Sequence, residues 1–127
     1  IKRKDYQIAI DFTMGNGHDT LFLSKVAKQV YSFDIQQEAL NNTKKLIEDT
    51  DNVNLILASH ENFDCYVKNF DVGIFNLGYL PNGDHQITTM ADSSLQAIKK
   101  AVEYLNRKGE LFLVVYIGHD EGKKEVC

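Results

Sequence analysis

The sequence predicts an α/β protein built on a doubly wound, mostly parallel sheet. Three observations carry this. An apolar run, Ile8-Ala9-Ile10, leads through Asp11-Phe12-Thr13-Met14 into a turn holding Gly15 and Gly17, and a helical pattern follows at once. A second apolar run, Val30-Tyr31-Ser32-Phe33, ends in Asp34. That acid follows the turn by about 20 residues, the separation at which a ribose-binding carboxylate follows a phosphate or nucleotide turn. Beyond it, strand and helix patterns alternate, which favours parallel pairing with right-handed crossovers.

The elements follow in order. Residues 7–12 form the first strand. Leu21, Phe22, Leu23 and Val26 give the first helix its apolar face, with Asp19 and Thr20 placed to serve its unpartnered N–H groups. The second strand covers residues 30–34. The second helix covers 37–48, with Ala39, Leu40, Thr43, Leu46 and Ile47 at helical spacing. Residues 53–57 form the third strand, and a short helix covers 61–67. The fourth strand, 70–75, reaches Asn76 and gives way to a polar loop with Gly78, Pro81, Asn82 and Gly83. A long helix over 89–106 buries Leu95, Ile98, Val102 and Leu105, with Thr89 and Asp92 as a capping box. Lys108-Gly109 turns the chain into the fifth strand, 110–117. Its continuous apolar middle suits a central position covered on both faces.

Size and composition narrow the class. The 127 residues, 43% hydrophobic and 25% charged, fit one soluble domain with a real core. No apolar run approaches the length that spans a bilayer. Cys65 and Cys127 have no metal-ligand spacing and suggest no disulfide framework, so no metal is expected and a reducing cytoplasm is the expected setting. The net charge of −4 argues against broad, nonspecific nucleic-acid binding but leaves room for a local basic patch.

In such sheets a ligand lies beyond the carboxyl ends of the strands. The groups expected there are Asp11 to Gly17, Asp34, Ala58 to His60, Asn76 to Tyr79, and Gly118-His119. The first turn departs from the dinucleotide pattern, because Thr20 stands where the third glycine would be. Asp11 and Asp19 flank the turn. Two acids disfavour a pyrophosphate and suit a ligand with an amino group and a sulfonium centre. Asp11-x-Thr13-x-Gly15-Asn16-Gly17, followed by a strand ending in Asp34, resembles the first motifs of class I S-adenosylmethionine-dependent methyltransferases. That type of sheet is Rossmann-like and usually has seven strands. Five are counted here, so the chain is expected to be a single methyltransferase domain trimmed at both ends.

Asn76-Leu77-Gly78-Tyr79-Leu80-Pro81 stands where methyltransferases of amine nitrogens carry Asn-Pro-Pro-Tyr or Asp-Pro-Pro-Tyr. A carboxamide oxygen accepts a hydrogen bond from an amine and aims its lone pair at the methyl group. An aromatic ring at 79 can stack on a flat base.

Taken with Gly15 to Leu23, Phe33 to Gln36, Ser59 to Asn62, and Tyr116-x-Gly118-His119, these motifs resemble the small bacterial family labelled rRNA methylases. Its members are tRNA 5-(aminomethyl)-2-thiouridine methyltransferases. The resemblance covers nearly the whole chain.

The resemblance implies an S-adenosyl-L-methionine cofactor and methyl transfer to the 5-aminomethyl amine of the tRNA wobble uridine. Asn76, Tyr79 and His119 are the expected catalytic residues. Asp11, Thr13, Gly15, Asn16, Gly17, His18, Asp19, Thr20, Asp34, Ile35, Gln36, Ser59, His60 and Asn76 are the expected cofactor contacts. His18 and His119 are candidates for holding phosphate or taking up the amine proton. His60 is expected to line the adenine pocket with Ser59. Ala58 departs from the acid that often binds adenine in this class. Neither cysteine lies at a strand end, which fits a nitrogen acceptor; a ring carbon normally requires a thiolate nucleophile.

The expected partners are the tRNA anticodon stem-loop and a second copy of the chain, with no membrane. Lys2, Arg3, Lys4, Lys99, Lys100, Arg107, Lys108, Lys123 and Lys124 are the cations available to RNA. The residues alone leave open a small-molecule amine methyltransferase, a cofactor-binding module without catalysis, and a nicotinamide dehydrogenase.

Overall fold

The structure, a computed structural model, describes residues 6–80 and 84–117, with side chains for 6–76 and 94–114. The element order is β1 (Tyr6–Asp11), α1 (His18–Val26), β2 (Ala27–Asp34), α2 (Gln37–Leu46), β3 (Val53–Leu57), a short 3₁₀ segment (His60–Cys65), β4 (Phe70–Leu80), α3 (Asp84–Tyr104) and β5 (Leu105–Ile117). The five strands form one sheet in the order β3-β2-β1-β4-β5, and every pairing is parallel. The expected doubly wound fold is present.

β1 is the middle strand. Ala9, Ile10 and Asp11 are consecutive and all buried, as a strand covered on both faces requires. On one face Ile10 meets a cluster of Phe12, Phe33, Phe63, Phe70 and Phe75. On the other, Ala9 packs with Leu23, Val26, Val30 and Val72. β1 is flanked by β2 on one side and β4 on the other, so the strand order reverses beside it. The crevice at such a reversal is the usual ligand position.

Several details differ from the sequence reading. β5 is the edge of the described sheet, not a central strand, and Leu113 on it is half exposed. α3 begins at Asp84, so Thr89 and Asp92 lie within it rather than at its start. Its buried face is Ser94, Ala97 and Ala101, whereas Leu95 and Val102 are exposed. Small residues let the helix settle close against the large rings of Phe63 and Phe70, an approach that Leu side chains would prevent. Phe22 and Leu46, expected on apolar helix faces, are partly exposed; Leu23, Val26, Ala39 and Thr43 take the inward positions. Leu105 belongs to β5 rather than α3.

The polar loop expected after Asn76 is also strand. β4 continues to Leu80, with a register shift against β5 between Asn76 and Gly78. Such irregularities re-aim side chains and cluster beside functional sites.

Candidate functional site

The turn after β1 is shaped by two glycines with left-handed backbone. Gly15 has φ +55° and Gly17 φ +91°. Gly17 is held twice over: a Cβ there would lie 2.7 Å from Thr43 Oγ1. The turn closes through Gly17 N–H donating to Met14 O at 2.9 Å, and α1 begins at once with Leu21 N–H donating to Gly17 O at 2.9 Å. Met14 N–H donates to Phe33 O at 2.9 Å, tying the turn to the end of β2.

Asp34 sits at the junction. Its carboxylate accepts the Gly15 N–H at 3.2 Å and the Gln36 N–H at 2.9 Å. It borders three adjoining cavities. One, about 490 Å³, is walled by Thr13 to Asp19, Asp34 and Asn76. A second, about 250 Å³ and mainly apolar, is walled by Phe12, Thr13, Phe33, Asp34, Ile35, Ala58, Ser59 and His60. A third lies between Gly15, Asn16, Gln36 and the start of α2.

The floor of the apolar cavity is aromatic. Phe12 stacks on Phe75 with centroids 4.1 Å apart and planes within 4°. His60 meets Phe75 edge-on at 5.6 Å, and its Nδ1 lies 3.1 Å from Phe12 O. A carbonyl oxygen accepts only, so that bond makes Nδ1 the protonated nitrogen. Burial, above all, pushes the His60 pKa below its ordinary value, against the raising effects of Phe12 O, Glu61 and Asp34. Ser59 caps the 3₁₀ segment, its Oγ accepting the Glu61 N–H at 3.4 Å.

Asn76 is clamped by the glycine-turn region. Its backbone N–H donates to Thr13 Oγ1 at 2.7 Å, and its side-chain Nδ2 lies 3.4 Å from Asp19 Oδ2. Thr13 in turn donates its N–H to Asp11 Oδ1 at 3.1 Å.

The structure thus brings Thr13, Gly15, Asn16, Gly17, His18, Asp19, Asp34 and Asn76 to one cavity, and Ile35, Ser59 and His60 to its neighbour. Gln36 borders the third. Asp11 and Thr20 are in neither main wall. Both are fully buried, and the Thr20 hydroxyl bonds Asp11 Oδ2 at 2.6 Å and Ser32 Oγ at 2.8 Å. Thr20 therefore braces the turn from behind instead of capping α1, whose N-cap, Gly17, carries no side-chain bond. The Tyr79 side chain and all of His119 lie outside the described residues, as do Lys2, Arg3, Lys4, Lys123 and Lys124. Lys100 is committed to the fold: its Nζ bonds Glu61 O at 2.8 Å and Asp64 Oδ1 at 3.2 Å.

Sequence reasoning had Phe12, Met14 and Ala58 on this rim; it missed Phe33 as a wall residue, although Phe33 adjoins Asp34. Ser32, which completes the Asp11–Thr20 brace, was read only as strand. Among the described residues no cluster of His, Cys, Asp and Glu could hold a metal, and no helix is long and apolar enough to cross a membrane.

Comparison with known proteins places relatives around this geometry. A family described as "Putative rRNA methylase" matches residues 30–127. A chloroplastic tRNA (mnm5s2U34)-methyltransferase of Arabidopsis thaliana is 37% identical, over 92% of this chain and 49% of its own. A methyltransferase of Streptococcus mutans, solved in complex with SAH, is 46% identical with a TM-score of 0.75, over 86% of this chain and 62% of its own. An rRNA methylase of Streptococcus thermophilus is 38% identical with a TM-score of 0.74, over 90% and 63%. The chain spans about half the length of the plant relative.

Proposed function

Because the chain belongs to the rRNA methylase family, we infer that it is the cofactor-binding part of an S-adenosylmethionine-dependent RNA N-methyltransferase. Its acceptor is the 5-aminomethyl amine of a tRNA wobble uridine. The observation that carries this reading is Asn76, held at the register shift of β4 on the wall of the cavity that also contains the glycine turn and Asp34.

The residues fit the cofactor. Gly15, exposed and with room where a Cβ would stand, lets a ligand lie against bare backbone, while Gly17 makes room for Thr43 beneath the turn. Asp34 keeps lone pairs for ribose hydroxyls while accepting two N–H groups, since a carboxylate has about four acceptor positions. The apolar cavity offers Ile35, 70% exposed, as a face for a flat ring, with Ser59 and His60 beside it. Asp19 and Asp34 give the larger cavity a negative lining suited to a cationic ligand. The bound cofactor would supply a methyl group already activated on a sulfonium centre.

What remains for the protein is orientation, which can account for much of the rate. The Asn76 carboxamide oxygen accepts an N–H of the neutral amine and points its lone pair into the cavity. The amine must lose a proton in the course of methylation, and in this reading His18, which lines the same cavity, takes it. Tyr79 and His119 are assigned to the acceptor side on their motifs. The RNA partner, the cytoplasmic setting and the pairing of two copies belong to the same reading.

The acceptor class is tested with full-length protein and labelled S-adenosylmethionine, offered hypomodified tRNA and a panel of small amines. Label in tRNA is the expected result. Label in small amines alone, which the net charge of −4 would suit, would replace the RNA assignment.

A further inference from the structure

We propose that Asp19 is a positioning residue that fixes which end of the Asn76 carboxamide faces the acceptor amine; this rests on the reading of Asn76 as the amine's hydrogen-bond acceptor. The two atoms of an Asn amide group differ in chemistry. Only the oxygen can accept an amine N–H, and an amide presented the wrong way round would donate to the amine's lone pair, the pair that must attack the methyl group.

The structure carries a device that selects the productive orientation. Asp19 Oδ2 lies 3.4 Å from Asn76 Nδ2, across 57 residues of sequence. A carboxylate accepts and cannot donate, so the atom turned to it is the NH2 group, and Oδ1 is turned away. The separation is long for a charge-assisted bond, and such contacts tighten when the reacting complex forms. The main chain of Asn76 is held by Thr13 Oγ1 at 2.7 Å, whereas the Asp19 contact acts on the side chain. Asp19 itself is anchored in the first turn of α1, where it stays half-buried beside the cavity. The register shift just after Asn76 gives the strand an irregularity at this point, so the backbone pleat alone does not dictate where the carboxamide aims.

The test uses the full-length protein and has a readout besides turnover. In a ¹⁵N spectrum the Asn76 side-chain amide is identified as the NH2 pair lost in Asn76→Ala. It should lie away from the positions of solvent-exposed Asn groups, and Asp19→Asn should move it toward them. Asp19→Asn preserves shape but offers either an acceptor or a donor, so the orientation is no longer selected. Methyl transfer at saturating substrates should fall about tenfold, a fraction of the roughly hundredfold that a 1 Å misplacement costs. Affinity for SAH, which lacks the sulfonium charge that the negative lining favours, should fall by no more than about threefold, well short of the loss in kcat. An Asn76 signal unmoved by Asp19→Asn would overturn the proposal. So would an unchanged kcat, or an SAH affinity that falls as far as kcat does, which would make Asp19 a cofactor ligand. Wild-type turnover by Asn76→Ala is a different failure: it removes the acceptor role of Asn76, while the spectrum still decides the Asp19 contact.

Discussion

Asp11 and Thr20 meet in a place sealed from solvent. Thr20 Oγ1 lies 2.6 Å from Asp11 Oδ2, and both residues are fully buried. The other Asp11 oxygen accepts the Thr13 N–H, so one carboxyl group ties β1, the glycine turn and α1 together. Burial, above all, raises its pKa to about 7; the bonds from Thr20 and Thr13 lower it, and Asp19 and Asp34 raise it. Asp11→Asn should therefore be tolerated. A carboxamide oxygen can accept from Thr13 while its NH2 donates to Thr20. Asp11→Ala should cost about 2–3 kcal/mol, because a backbone donor loses its acceptor and a void is left. Urea unfolding of the two variants checks the contrast.

The same carboxyl predicts a pH dependence. Its folded pKa is raised to about 7 from 3.8. Between those values the folded state keeps a proton that the unfolded chain has released. The contribution of Asp11 to stability therefore falls as pH rises through that window and levels off above it. His60 acts in the opposite sense. Its folded pKa lies below 6.5, so as pH falls below that value the unfolded chain gains a proton first and stability is lost. Urea midpoints between about pH 4.5 and 7.5 should show a flatter neutral limb for Asp11→Asn and a flatter acid limb for His60→Gln.

Gly17 should not accept a side chain. Its φ of +91° strains any L residue, and an added Cβ would lie 2.8 Å from Thr43 Cγ2. Gly17→Ala should cost on the order of 2–4 kcal/mol from backbone strain and overpacking together. The companion variant Gly17→Ala/Thr43→Ser, which removes the contacted methyl, should recover part of that loss in thermal unfolding.

Asp34→Ala should weaken SAH binding by about tenfold or more, since it removes a charged acceptor and frees the Gly15 and Gln36 N–H groups that shape the cavity. Titration calorimetry with full-length protein reads this directly. Asp34→Asn should lie between Ala and wild type, because its oxygen can still hold one of the two N–H groups.

The fold was legible because its signals are local and repeated. The alternation of strand and helix, the paired glycines and the acid ending β2 each have one physical meaning, and the parallel sheet with its reversal beside β1 follows from them. What was illegible depended on neighbours distant in sequence. Leu95 and Val102 have helical spacing with Ile98, yet Ala97 and Ala101 face the core, because Phe63 and Phe70 already fill the space beneath α3. Gly78 reads as a loop residue, yet pairing with β5 keeps it in β4. Within the candidate site, the wall residues near the turn were readable from the motif. The withdrawal of Asp11 and Thr20 behind the wall was not, since it rests on Ser32 from another strand.

The most direct measurement is the identity of the methylated nucleoside. Full-length protein is incubated with labelled S-adenosylmethionine and tRNA carrying unmethylated 5-aminomethyl wobble uridine, and the product is digested to nucleosides. The account predicts labelled 5-methylaminomethyl uridine that disappears with Asn76→Ala. Label in any other nucleoside, or SAH binding with no label in the wobble uridine, would contradict it.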